Sequence, residues 1–199
     1  MKSYFTRTAL TLGSLLLGTS ALWAAPTSYE VDPAHSGINF SVRHFFSPVQ
    51  GKFKVFTGTI RYDRGRPEDS SVAFTVQSAS IDTDNEKRDG HLKSPDFFDV
   101  ARFPTLTFES KKVSVDRQDS KKLNVTGTLT LHGVSQNVTI PVTLLGTGKG
   151  MMGPIAGFEA DFQVNRKDYG IIWNKALDGG GTMLGDDVQV KVTIEAGAK

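Results

Sequence analysis

Four histidines, His35, His44, His91 and His132, are the side chains best suited to bind a metal or move a proton. No HxH or HxxxH pair sets two of them on one face of a strand or helix, so no metal-ligand spacing is present. His35 and His44 are nine residues apart, which puts them on opposite faces if one continuous strand carries both. The chain has no cysteine, which excludes disulfides, thiol nucleophiles and cysteine-ligated metals. Asp82-Thr83-Asp84-Asn85-Glu86 begins like a calcium loop. Counted from Asp82, however, the sixth and twelfth positions hold Lys87 and Lys93, where that loop needs Gly and Glu. A solvated loop leading into a helix, with Asp84 as its cap, is the better reading. There is no G-x-S-x-G elbow, and Gly179-Gly180-Gly181 lacks the lysine of a phosphate loop.

The remaining chemistry is amphiphilic. Phe45, Phe46, Phe97, Phe98, Phe103 and Phe108 gather in sequence around an irregular segment that also holds Arg88, Asp89, His91 and Asp96. Such a set either packs a core or walls an apolar cavity with a polar mouth. In the second case Arg88 and His91 meet an oxygen-rich head group. In the first, the segment is a plug and Arg88 pairs with Asp84 or Asp89 in water. His132 is expected to be a hydrogen-bonded structural residue, whereas both roles stay open for His44 and His91.

The elements that must position these residues are strands. From Tyr29 onward the apolar period is two. Ile38, Phe40, Val42, His44 and Phe46 share one face of residues 36–46. Phe53 and Val55 stand opposite Phe56, Ile60 and Tyr62, with a bulge or bend predicted at Gly58. Val72, Phe74 and Val76 mark the next strand. Leu106 and Phe108, then Val113 and Val115 across Lys111-Lys112, mark another. Leu123, Val125, Leu129 and Leu131 alternate with polar residues, and so do Val138 to Leu144, Phe158 to Val164 (Phe162 among them) and Val188 to Ile194. About eight strands separated by turn signals predict an all-β, antiparallel, eight-stranded barrel or a sandwich, with an up-and-down meander favoured. A short helical segment is predicted near residues 85–100, and residues 173–186 read as a glycine-rich loop or short helix. An eight-stranded barrel is wide enough either to be filled by side chains or to hold one slim ligand, and periodicity does not choose.

Residues 1–24 read as an address. Lys2 and Arg7 precede the apolar run TALTLGSLLLG at residues 8–18, and small residues surround a cleavage point after Ala24. That run is well short of the ~20 residues of a membrane span. The expectation is a cleaved signal and a soluble chain, residues 25–199, exported to the periplasm as a single domain. The chain has 23 basic and 21 acidic residues, and residues 1–24 carry two of the bases, so the remainder is formally neutral. A neutral chain without a basic block excludes nucleic acid and docking by a polybasic patch.

The segments YEVDPAHSGINFSVRHF (29–45), VQGKFKVFTGTIRYD (49–63), IDTDNEKRDGHLKSPDFFDVARFPTLTFES (81–110), GTLTLHGVSQNVTIPV (127–142) and FEADFQVNRKDYGI (158–171) occur in one order and spacing. On them the sequence resembles the YceI-like family. The resemblance implies a lipocalin-like barrel that holds a polyisoprenoid chain, such as an isoprenoid quinone or a prenyl phosphate, or another long amphiphile, for transport, storage or scavenging. It implies no catalysis and no cofactor beyond that lipid, no stable membrane insertion, and it is compatible with a homodimer. The family's motif residues map onto His35, Ser36, Val42, Arg43, His44, Arg88, Asp89, His91, Leu92, Asp96, Phe97 and Phe98. With the inward apolar positions, the expected ligand-contacting set is His35, Phe40, Val42, His44, Phe46, Arg88, His91, Phe97, Phe98, Phe108, Leu129 and Phe162. Strands of ten residues at ~3.3 Å rise and ~40° tilt give a barrel roughly 25 Å tall, long enough for several isoprene units. Two other readings remain: an enzyme acting on such a lipid with His44 or His91 as general base, and a filled barrel serving as an interaction module.

N-terminal sequencing of the exported protein should begin near Ala25. Recovery of residues 8–18 in a membrane fraction would contradict the leader reading.

Overall fold

A computed structural model of the chain describes residues 26–198. The expected leader and its cleavage point lie outside these residues. Eleven strands and one α-helix follow in order: β1 (Thr27–Val31), β2 (Gly37–His44), β3 (Ser47–Phe53), β4 (Phe56–Tyr62), β5 (Ser71–Gln77), β6 (Ile81–Asp82), α1 (Glu86–Lys93), β7 (Thr105–Val115), β8 (Lys122–Leu131), β9 (Val134–Gly150), β10 (Gly153–Asn165) and β11 (Leu184–Ala198). Every pairing is antiparallel between neighbours. The ring β1-β4-β5-β7-β8-β9-β10-β11 closes through β1 and β11, giving eight staves. Among the described residues no helix is long and apolar enough to cross a membrane.

Three staves are broken, which is why eleven strands make an eight-stave barrel. One edge of β11 pairs with β1 through Ala196–Ala198 and with β2 through Leu184–Thr193, so β1 and β2 lie end to end. β4 and β3 pair with them in the same fashion, and β5 and β6 with those in turn. The breaks, at residues 32–36, 54–55 and 78–80, line up across the wall. The bend expected at Gly58 therefore falls at Lys54-Val55. Cross-wall bonds from Lys54 N to Ser80 O (3.2 Å) and from Gln77 N to Val55 O (2.9 Å) hold it there. β6 is only two residues long and pairs with β3 alone, so the wall between β6 and β7 is completed by residues 83–104 with α1.

The Lys111-Lys112 break is a bulge, not an end. The β7–β8 register shifts between Ser110 and Lys112. One extra residue changes which parity faces inward, so Leu106 and Phe108 before it and Val113 and Val115 after it all point into the barrel. The helix cap is Asn85, not Asp84: its side chain accepts from Arg88 N at 3.0 Å. Residues 173–186 contain no helix.

The interior has two halves. At the end away from α1, Tyr29, Tyr62, Val113, Leu123, Ala156, Phe158, Ile194 and Ala196 are buried and form a packed floor under the cavity. Toward α1 the inward apolar residues are only partly buried because they face a cavity. Three rings there lie flat against the wall, each across a glycine. Phe40 covers Gly51, Phe74 covers Gly58 and Phe108 covers Gly127. A Cβ at any of these glycines would approach the ring to less than 3.0 Å.

Of the three, only Gly127 has backbone among its nearest neighbours. An added Cβ would sit 2.3 Å from Glu109 O and 2.7 Å from the Phe108 ring. Gly127→Ala should therefore lower stability by about 1–3 kcal/mol, several degrees in Tm. Gly179→Ala, where nothing lies within 4 Å, should stay within about 0.5 kcal/mol. Equal melting temperatures for the two variants would contradict this account of the wall.

Candidate functional site

The cavity occupies about 440 Å³ inside the barrel, within the roughly 300–1,000 Å³ range of ligand sites. The interior is therefore hollow, the point that periodicity left open. Its walls are Ile38, Phe40, Val42, Val49, Phe74, Phe108, Leu129, Phe162, Val188, Val190 and other inward residues of the strands. At the helix end the polar residues lining it are His44, Thr83, Arg88, His91 and Arg166.

Ten of the twelve sequence-predicted residues line this one cavity: Phe40, Val42, His44, Arg88, His91, Phe97, Phe98, Phe108, Leu129 and Phe162. His35 and Phe46 do not. β1 ends at Val31, and His35 sits in the turn before β2, outside the barrel, with Nδ1 2.7 Å from Asp32 Oδ2. No continuous strand carries His35 and His44, so the opposite-face argument lapses. The hydrogen bond to Asp32, reinforced by the charges of Asp32 and Glu195, raises the His35 pKa, and the same bond lowers that of Asp32. Phe46 leaves the inward face because alternation stops at His44. His44 pairs with Ser47, so Phe45-Phe46 forms a two-residue hairpin turn, with Phe45 at φ +51° and Phe46 fully exposed.

Arg88 pairs with neither carboxylate. Its Nε donates to Thr83 Oγ1 and its Nη2 to Thr83 O, both at 2.7 Å. Asp89 accepts from Thr83 N at 2.9 Å and from the Thr83 hydroxyl. One buried threonine thus ties the first turns of α1 to the end of β6. Arg88 Nη1 has no protein partner among the described residues, and the residue lines the cavity. His91 Nε2 lies 2.8 Å from Asp96 Oδ2, and its ring stands edge-on to Phe97 and Trp173, each 5.0 Å away. His132 is structural: Nδ1 lies 3.1 Å from Tyr169 O, and its ring packs on Phe103.

Trp173 and Arg166 belong to the site without having been singled out from sequence. Trp173 also meets Phe97 at 5.2 Å and lines the cavity beside α1. Arg166, 4% exposed, staples the loop that carries it. Nη1 donates to Ile171 O (2.6 Å) and Trp173 O (2.8 Å), Nε to Gly185 O (2.9 Å) and Nη2 to Asp186 Oδ1 (3.0 Å). Burial lowers the Arg166 pKa, opposed by Asp186; Lys167 and Arg166 together hold the Asp186 carboxyl below its usual range. A lone arginine at the end of an alternating strand, followed by one tryptophan in a glycine-rich loop, was the available signal.

A family model described as YceI-like domain matches residues 29–196. A "UPF0312 protein" of Azotobacter vinelandii is 39% identical over 168 residues, covering 83% of this chain and 86% of the relative. The crystal structure of Burkholderia cenocepacia BcnA superposes with a TM-score of 0.73 at 26% identity, over 83% of this chain and 98% of that one. A polyisoprenoid binding domain from Saccharophagus degradans, implicated in plant cell wall breakdown, shares the fold, with a TM-score of 0.63 at 18% identity over 87% and 99% of the two chains.

Arg166→Met should lose at least about 3 kcal/mol in urea denaturation, since it strands three carbonyls and breaks an ion pair. It should also admit proteolysis between residues 171 and 183. Lys167→Met, which removes only the exposed partner of Asp186, should cost about 0–1 kcal/mol. Equal losses would refute the staple.

Proposed function

The chain belongs to the YceI-like family, and on that premise we propose that its barrel binds the apolar tail of a polyisoprenoid or similar long amphiphile. The observation that carries the reading is the cavity itself, with ten family-motif or inward residues on its wall and a packed floor at one end only. A filled interaction module would leave no such volume. Burying each CH₂ of a tail contributes about 0.8 kcal/mol, so the apolar wall supplies most of the affinity. The direction of entry follows from the floor: the tail runs inward and the head group stays at the helix end, near Arg88. Arg88 Nη1 there is a charged donor suited to a phosphate or quinone oxygen. The name of the Saccharophagus degradans relative supports a polyisoprenoid. We read the protein as a binding protein and not as an enzyme, since among the described residues no Ser or Thr hydroxyl is hydrogen-bonded to the ring of His44 or His91 to serve as a nucleophile, and the ring of His91 bonds to Asp96.

We also propose that it acts as a carrier or scavenger after export, on the strength of the leader-like residues 1–24. A long lipid has almost no solubility in an aqueous compartment, and an enclosed apolar barrel removes that barrier.

Native mass spectrometry of the purified protein, followed by organic extraction, should find a co-purifying long-chain species or show uptake of added solanesol. If no long-chain species co-purifies and no solanesol is taken up, the carrier reading is overturned. Leu129→Asp should reduce uptake by tenfold or more while the ligand-free protein stays folded, because a charge in a hollow lumen can be hydrated. Outright unfolding would assign Leu129 to a filled core.

A further inference from the structure

The rim around the cavity mouth carries apolar side chains that the fold leaves in water. Phe46 is fully exposed, Ile172 is 69% exposed and Phe45 is 38% exposed. All three lie at the helix end. Phe45-Phe46 caps the β2–β3 hairpin, and His44 at its base pairs with Leu184. Leu184 in turn exchanges two hydrogen bonds with Asn174, two residues beyond Ile172. The tips are held on firm backbone. Phe45 N donates to Met183 O at 2.8 Å, and Arg43 Nη1 donates to Phe45 O at 2.9 Å. The carbonyls on either side of Ile172 are both held by Arg166.

We propose that this rim docks on a lipid bilayer, with Phe46 and Ile172 entering the interface so that cargo passes between membrane and cavity without crossing water. The proposal rests on the carrier reading above. A tail leaving a bilayer through water loses about a fourfold factor in partition for every CH₂ exposed, so a mouth opening directly on the interface removes the slow step. Separate apolar tips standing out from polar loops suit a fluid interface better than a flat protein partner. Phenylalanine and aliphatic side chains are the ones that peripheral elements bury at the headgroup–acyl boundary. The charges beside the tips are mixed in sign, with Arg43 bonded to the Phe45 carbonyl and Arg166 and Lys167 paired with Asp186 behind Ile172, so attachment is driven by apolar insertion and should change little with salt.

The test uses the full chain, mixed phosphatidylethanolamine–phosphatidylglycerol vesicles and solanesol. The unaltered protein should float with the vesicles and extract solanesol from them. The double variant Phe46→Ser with Ile172→Ser should lose at least about tenfold in both, while uptake of solanesol from detergent micelles is unchanged. Met151→Ser with Met152→Ser removes a pair of fully exposed apolar side chains at the far end of the barrel and should alter none of these readouts. Unchanged flotation in the rim variant, or an equal loss in the methionine variant, overturns the docking surface and leaves the carrier reading intact. A concentration-dependent dimer that the rim variant abolishes overturns it in favour of a second copy of the chain. Failure of the unaltered protein to take up solanesol even from micelles overturns the carrier reading, and the docking proposal falls with it.

Discussion

Strand β11 carries the closure of this barrel. Its fifteen residues pair with β10 along one edge and with β1 and then β2 along the other. A barrel has no free edges, so every inward side chain is fixed by the period of two once the ring is shut. Strand β11 also sets the two ends apart. Its last residues join the short β1 at the packed floor, and its first residues meet β2 at the mouth. The aligned breaks in the three staves beyond it let the wall turn between those ends. The two-residue β6 then leaves a gap that a strand does not fill, and the helical segment occupies that gap.

A closed barrel of this size does not have to be hollow. Phenylalanine side chains pointing inward from several staves would fill the lumen if they stood upright. Glycines opposite or diagonal to them remove the Cβ atoms that would force this, and the rings lie along the wall. The volume is thus a consequence of where glycine sits relative to phenylalanine across the ladder, a relation between strands distant in sequence. The one α-helix among the described residues has no fully buried residue, and Leu92 is its only large apolar side chain. One leucine is no apolar stripe, so the helix is held by the bonds of Arg88 and Asp89 to Thr83 at its start and by Leu92 packing with Phe98 against the core near its end.

Much of this was legible in the sequence because it follows from local period. The alternating runs in β8, β10 and β11 define the inward faces directly, and Phe40, Val42, Leu129 and Phe162 on such faces all reach the cavity. The family resemblance supplied the choice of a lipocalin-like barrel and the positions Arg88, His91, Phe97 and Phe98. What local reasoning missed involves a change of parity or a contact across the fold. Phe46 has the correct parity, but a turn intervenes one residue earlier. His35 has the correct motif, but the stave is broken there. Thr83 was passed over as part of an acidic loop, although both Arg88 and Asp89 depend on it. Arg166 is a charged residue whose four hydrogen bonds all go to residues further along the chain, and no periodicity announces that.

The asymmetry between the ends gives the binding reading its direction. At the floor, side chains are fully buried and a head group would find no space. At the mouth, two cations lie within one lining, yet they do different work. Arg166 donates to its own loop and pairs with Asp186, so it fixes the position of Trp173 and its charge is already partnered. Arg88 spends only two sites on Thr83, which orients the guanidinium while leaving Nη1 unused. A charge that is both anchored and incompletely satisfied at the edge of an apolar volume favours a partner with oxygen at one end and hydrocarbon at the other. The surrounding wall can accept the hydrocarbon but has no comparable group deeper inside, so an amphiphile entering head first would lose its hydration with nothing to replace it. Tail-first entry is the arrangement that both the floor and the mouth allow.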